Sequence, residues 1–148
     1  MKEIEQLCNK SFSKLKSSKS LYELGQYSDS ASLSYYAMFL MAKALLKKKG
    51  FDTKTHEGTI NLFSLKYVHE DNFDYSIFVY LPSAQSKRED ADYNAVDYIT
   101  QEIAEELIFQ AEEFLAEAGK FLWISKKCKL MSVANCGESL SAIRHDII

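Results

Sequence analysis

Ala31, Tyr35, Met38, Ala42 and Leu45 fall on one stripe at helical spacing. Tyr36, Phe39, Leu40 and Leu46 widen that stripe to nearly the whole circumference. A helix apolar almost all round is packed on several sides or lies at a subunit interface. This one segment therefore demands other helices to cover it. The chain has a single proline, Pro82, and only five glycines, which favours long uninterrupted helices.

The flanking segments supply the expected cover. Ile4, Leu7, Phe12 and Leu15 keep helical spacing and predict a first helix running to about Leu24, with Gly25 past its end. Ser28 or Ser30 is the expected cap of the central helix. Lys47, Lys48 and Lys49 suit its C-terminal dipole, and Gly50 stops it. Thr55 can cap a short helix through Ile60, Phe63, Tyr67 and Val68. Tyr75 to Tyr80 has strand-like composition but no partner strand, so it is read as helical or irregular. Pro82 is placed to open or kink the helix that carries Arg88, and Tyr93 to Tyr98 reads as a linker.

Thr100 is a good N-cap, with Ile99 positioned to staple back on the first turn. Ile103, Leu107, Ala111, Phe114, Ala118 and Leu122 then predict a long helix over 100–125, with Glu102, Glu105, Glu106, Glu112 and Glu113 off its apolar stripe. Periodicity breaks after that. The expected organisation is a helical domain over 1–125 and a C-terminal extension over 126–148. The expected fold is all-α, an up-and-down antiparallel bundle of four to six helices.

Composition narrows the function. The 148 residues suit one domain, with 47% apolar and 26% charged residues. A net charge of −3 offers no global basic field, so a nucleic-acid role needs a local patch. Lysines cluster at 43–49 and at 126–129, where each cluster also reads as a solvated helix end. Cys8, Cys128 and Cys136 are odd in number and scattered, a poor disulfide framework and no metal set. The N-terminus is acidic and amphipathic, and no apolar run approaches the roughly 20 residues that span a bilayer. These features predict a cytoplasmic protein with no membrane partner, no metal and no cofactor.

Two motifs carry more. One is the tyrosine-rich run from Ala31 to Leu46. The other is Arg88-Glu89-Asp90-Ala91-Asp92-Tyr93. Together they resemble the HEPN family (higher eukaryotes and prokaryotes nucleotide-binding), in its small prokaryotic branch with an R-x-x-A-D-Y motif. The stretch Lys54-Thr55-His56-Glu57-Gly58 belongs to the same resemblance, which spans about residues 26–122. It implies a helical bundle, commonly a homodimer whose arginine motifs line a shared cleft. It also implies a toxin–antitoxin setting, with a minimal nucleotidyltransferase as partner and RNA or a nucleotide as ligand.

Family members that cut RNA carry an arginine and, four to six residues on, a histidine. Here Arg88 fits the arginine, but Tyr93 stands where the histidine would be. Metal-free RNA cleavage needs a base for the 2′-hydroxyl proton and an acid for the leaving oxygen, and histidine suits both near neutral pH. A phenol with an ordinary pKa near 10 is a poor base there. The resemblance thus nominates Arg88, Asp92 and Tyr93 as candidate catalytic residues in a site better suited to binding. Arg88, Tyr35, Tyr36 and His56 are its candidate nucleotide- or RNA-binding residues. The plainer readings are an Arg88–Asp92 surface pair, two core tyrosines that point to different sides of their helix, and a capping or packing histidine. The alternatives to a binder are a metal-independent endoribonuclease using Arg88 and a non-catalytic partner of a nucleotidyltransferase.

Overall fold

A computed structural model describes residues 2–94 and 98–122. They form an all-α, up-and-down antiparallel bundle, with no strand among the described residues. Helix α1 spans Lys2–Glu23 and α2 spans Tyr27–Lys48. Helix α3 (His56–Phe63) runs on into a π-helical stretch, Ser64–His69. The single turn α4 (Tyr75–Phe78) leads into α5 (Tyr80–Tyr93), and α6 spans Gln101–Gly119.

Local signals set the boundaries. Gly25 and Gly50 adopt φ of 77° and 88°, conformations that other residues reach only with strain. Around Gly25, the amides of Gly25 and Gln26 return to the carbonyls of Tyr22 and Leu21. Gly50 and Phe51 do the same to Lys47 and Leu46, so both helices close with the paired bonds of a Schellman turn. Thr55 and Thr100 cap α3 and α6, accepting from Gly58 N at 2.9 Å and Ile103 N at 3.2 Å. Pro82 falls in the first turn of α5, where its missing N–H has no helical acceptor to lose. The segment with strand-like composition is helical, as α4 and the start of α5.

Helix α2 is the centre of the molecule and packs against α1, α3, α5 and α6. Its Tyr35, Ala37, Met38, Met41, Ala42, Ala44 and Leu45 are wholly buried within this one chain. Packing inside the chain therefore accounts for its wide apolar girth, which is no independent argument for a dimer. A second aromatic core gathers Phe63, Phe73, Phe114 and Phe121, with Phe63 5.0 Å from Phe73 and Phe73 5.5 Å from Phe121. Each such ring contributes on the order of 2 kcal/mol when buried.

Four expectations need correction. Neither Ser28 nor Ser30 caps α2, whose N-cap is Gln26 without a side-chain bond. Ser30 is instead buried in a serine seam between α1 and α2. There the Ser18 hydroxyl donates to the Ser30 carbonyl (2.7 Å), the Ser30 hydroxyl donates to the Ser18 carbonyl (2.8 Å), and Ser18 and Ser34 hydroxyls meet at 2.7 Å. These small side chains let the two backbones approach closely while satisfying their own polar groups. Second, Glu112 does not lie off the apolar face of α6. It is 1% exposed and paired with Lys19 of α1 at 3.1 Å. Third, α6 ends at Gly119 rather than near 125, because the chain tightens through successive three-residue turns to Leu122 and delivers Phe121 to the aromatic core. Fourth, Tyr35 and Tyr36 do not diverge: their ring centroids lie 5.3 Å apart, edge to face. The extension expected over 126–148, with Cys128 and Cys136, lies outside the described residues.

Candidate functional site

The candidate site forms where α2, the start of α3 and α5 meet. Helix α2 presents Tyr35, Tyr36 and Phe39 within about one turn. The Thr55 cap fixes His56 at the first position of α3. Across from both, α5 carries Arg88, whose guanidinium carbon lies 5.3 Å from the Tyr35 ring centroid and 5.4 Å from that of Tyr36. Both separations are within the range of cation–π attraction. Adjacent residues on a helix are about 100° apart, which is close enough for two long side chains to converge on one cation.

Arg88 is held but not neutralised. Its Nη1 reaches Asp92 Oδ2 at 3.4 Å, a long contact to a carboxylate 57% exposed to solvent. Such a pair contributes under about 1 kcal/mol and is easily displaced. Its Nε is buried and meets no acceptor among the described residues. A buried charged donor without a partner is costly, so an anion that accepts from it gains accordingly.

His56 lies flat on Phe39, with ring centroids 4.1 Å apart and planes 9° from parallel. Its Nδ1 is 2.6 Å from the Tyr35 hydroxyl. Burial, then the nearby charges of Arg88 and Lys43, push the imidazole pKa below its ordinary value, so the ring is neutral at pH 7. Burial also drives the Tyr35 phenol far up, and its proton stays on. Nδ1 is the one hydrogen-bond partner of the Tyr35 hydroxyl among the described residues, so donation from the phenol satisfies its proton and favours the tautomer with the histidine proton on Nε2. His56 therefore offers a neutral N–H donor. Packing and function are not alternatives for this residue, since the packing sets its tautomer.

The remaining nominated residues stand apart. Asp92 is exposed at the end of the Arg88 pair, and Tyr93 is 88% exposed on the last turn of α5. Five helical positions separate Tyr93 from Arg88, which places it about 140° around the helix. Sequence reading missed Phe39 and Lys43 as members of the site. The signal was available: Tyr35, Phe39 and Lys43 recur every four residues on one face of α2. No set of three metal-binding side chains occurs among the described residues. No helix among them is long and apolar enough to cross a membrane.

The lysine run at the end of α2 is mostly structural. Lys47 pairs with Glu3 at 2.9 Å, and Lys49 pairs with Asp71 at 2.6 Å while lying 4.4 Å from the Tyr67 ring centroid. The Lys48 ammonium donates to the Phe121 carbonyl.

Comparison with known proteins converges on one family. The HEPN domain matches residues 4–121, most of the chain. Two proteins of Methanocaldococcus jannaschii that carry the name putative toxin are each 35% identical to it. The first aligns over 84% of this chain and 84% of its own length, the second over 81% and 89%. A UPF0332 protein of Archaeoglobus fulgidus is 33% identical over 80% of this chain and 94% of its own length.

Proposed function

This chain belongs to the HEPN domain family, and from that premise we propose that it binds RNA or a nucleotide through Arg88 as the toxin-like half of a toxin–antitoxin pair. One observation carries the reading: a guanidinium seated against two tyrosine rings with its Nε buried and without an acceptor among the described residues. A planar fork in that setting suits a phosphate, which accepts two parallel hydrogen bonds. The neutral Nε2–H of His56 adds a donor, and Tyr36, half-buried, offers a face to a base. The resemblance supplies the wider setting, a homodimer with a minimal nucleotidyltransferase partner. The exposure of Asp92 and Tyr93 fits a cleft shared between two copies.

A metal-independent ribonuclease is the second reading. It is favoured by an imidazole packed in the Arg88 cluster although Tyr93 holds the motif position. Its difficulty is chemical, because His56 has its Nδ1 engaged by Tyr35 and, in the tautomer this contact favours, a proton on Nε2. Such a ring donates more readily than it abstracts.

The test is incubation with labelled single-stranded RNA and with tRNA in EDTA, beside Arg88→Ala and His56→Gln. The binding reading predicts a retained complex and intact RNA, with the complex lost in Arg88→Ala. Cleavage abolished by both substitutions establishes the nuclease instead. Neither complex nor cleavage overturns both readings.

A further inference from the structure

A cleft of about 360 Å³ opens beside this site, between the first turns of α1, the last turns of α2 and the connection that follows α2. Lys10, Lys43, Lys47, Phe51, Glu3 and Asp52 are among its walls. The two carboxylates are already committed, since Glu3 and Asp52 lie 2.9 and 3.8 Å from Lys47. Lys10, exposed, and Lys43, half-buried, make no ion pair among the described residues. The cleft thus carries three lysines against two carboxylates, a local excess of positive charge in a protein of net charge −3.

Position ties the cleft to Arg88. Tyr36, Phe39, Lys43 and Lys47 follow one another at i, i+3, i+7 and i+11, a single face of α2. That face covers about 16 Å from the Arg88 cluster to the cleft, more than one nucleotide reaches. Lys43 belongs to both ends: it lowers the pKa of His56 by its charge and it lines the cleft. Phe51, half-buried in the same wall, carries Lys66 5.2 Å from its centroid, so a cation backs an aromatic ring at the cleft. Along that track Phe39 is covered by His56 and Lys47 is paired, but Tyr36 and Phe51 are half-buried rings and Lys43 and Lys10 are cations without an ion pair among the described residues. They describe a surface for single-stranded polynucleotide, where phosphates meet lysines and bases stack on rings.

We propose that the Lys10–Lys43 cleft is a second subsite for single-stranded RNA, taking a phosphate further along the strand than the one held at Arg88 and a base against Phe51. This rests on the binding function proposed for Arg88, which it deepens by naming an oligonucleotide rather than a mononucleotide as the ligand.

The experiment measures affinity for AMP and for 5′-phosphorylated oligoadenylates of two to four nucleotides, in EDTA, across a range of salt. Wild type gains about tenfold in affinity from AMP to the longer oligomers. Lys10→Ala removes most of that gain and lowers the slope of log affinity against log salt by about 0.7, the value for one single-strand phosphate contact. Phe51→Leu lowers affinity for the oligomers without changing the salt slope. Equal wild-type affinity for AMP and the oligomers overturns the subsite and leaves the Arg88 reading intact. A length-dependent gain that survives Lys10→Ala with its salt slope unchanged overturns it too. No wild-type binding at any length overturns both.

Discussion

At the residue scale, the pivotal relation is between Tyr35, His56 and Arg88. Burial, then the charges of Arg88 and Lys43, favour the neutral imidazole that faces the Tyr35 hydroxyl. The sign of the resulting pH dependence follows. With its folded pKa below the unfolded value near 6.5, His56 costs nothing above pH 7, where both states are neutral. As pH falls through 6.5 the unfolded chain takes up the proton first, and stability declines until the folded pKa is passed. The melting temperature of His56→Gln should therefore fall less between pH 7 and pH 5 than that of the wild type, other groups being common to both. Identical pH profiles would contradict the assignment. The sequence displayed these residues but not their meeting. Tyr35 and Tyr36 looked divergent because adjacency says nothing of a third residue that draws two rings together.

At the element scale, helix ends were the most legible part of the fold because their causes are local. Gly25, Gly50, Thr55 and Thr100 each act within a few residues of themselves. Ser30 was misread because its partner, Ser18, sits on another helix, and Glu112 because Lys19 does. The short α3 illustrates how tightly a local signal can be drawn. A Cβ added at Gly58 would come within 2.8 Å of Thr55 Oγ1, the atom that caps the helix. Gly58→Ala should thus leave stability nearly unchanged, because the displaced cap costs about 1 kcal/mol and cancels an intrinsic helix gain of similar size. In a Thr55→Ala background the same change should be stabilising by about 1 kcal/mol. Chemical denaturation of the four proteins in that cycle measures the coupling, and simple additivity would count against the steric account.

For the whole molecule, the bundle is built outward from α2, with α1 clamped to it by the serine seam and to α6 by Lys19–Glu112. Removing one partner of a buried ion pair is far more damaging than removing both. Lys19→Met should cost about 3 kcal/mol, and Lys19→Met with Glu112→Leu should recover much of it, as read by urea unfolding. A loss under about 0.5 kcal/mol in the single variant would show that the pair is immaterial. The all-helical class was legible from the girth of α2 alone. The family was legible from two motifs, and the HEPN match over residues 4–121 agrees with them. What remained hidden was the surface on which the site continues, since Lys10, Lys43 and Phe51 come from three separate stretches of chain.

The central claim is that Arg88 is the anchor of an anion site on an otherwise acidic protein. Fluorescence anisotropy with a short single-stranded RNA, at low and at physiological salt, tests it most directly when wild type and Arg88→Ala are compared after thermal melts establish that both are folded. The account predicts saturable, salt-sensitive binding by wild type and a loss of about tenfold or more in the variant. Equal affinity in two folded proteins would contradict it, as would the absence of wild-type binding at low salt.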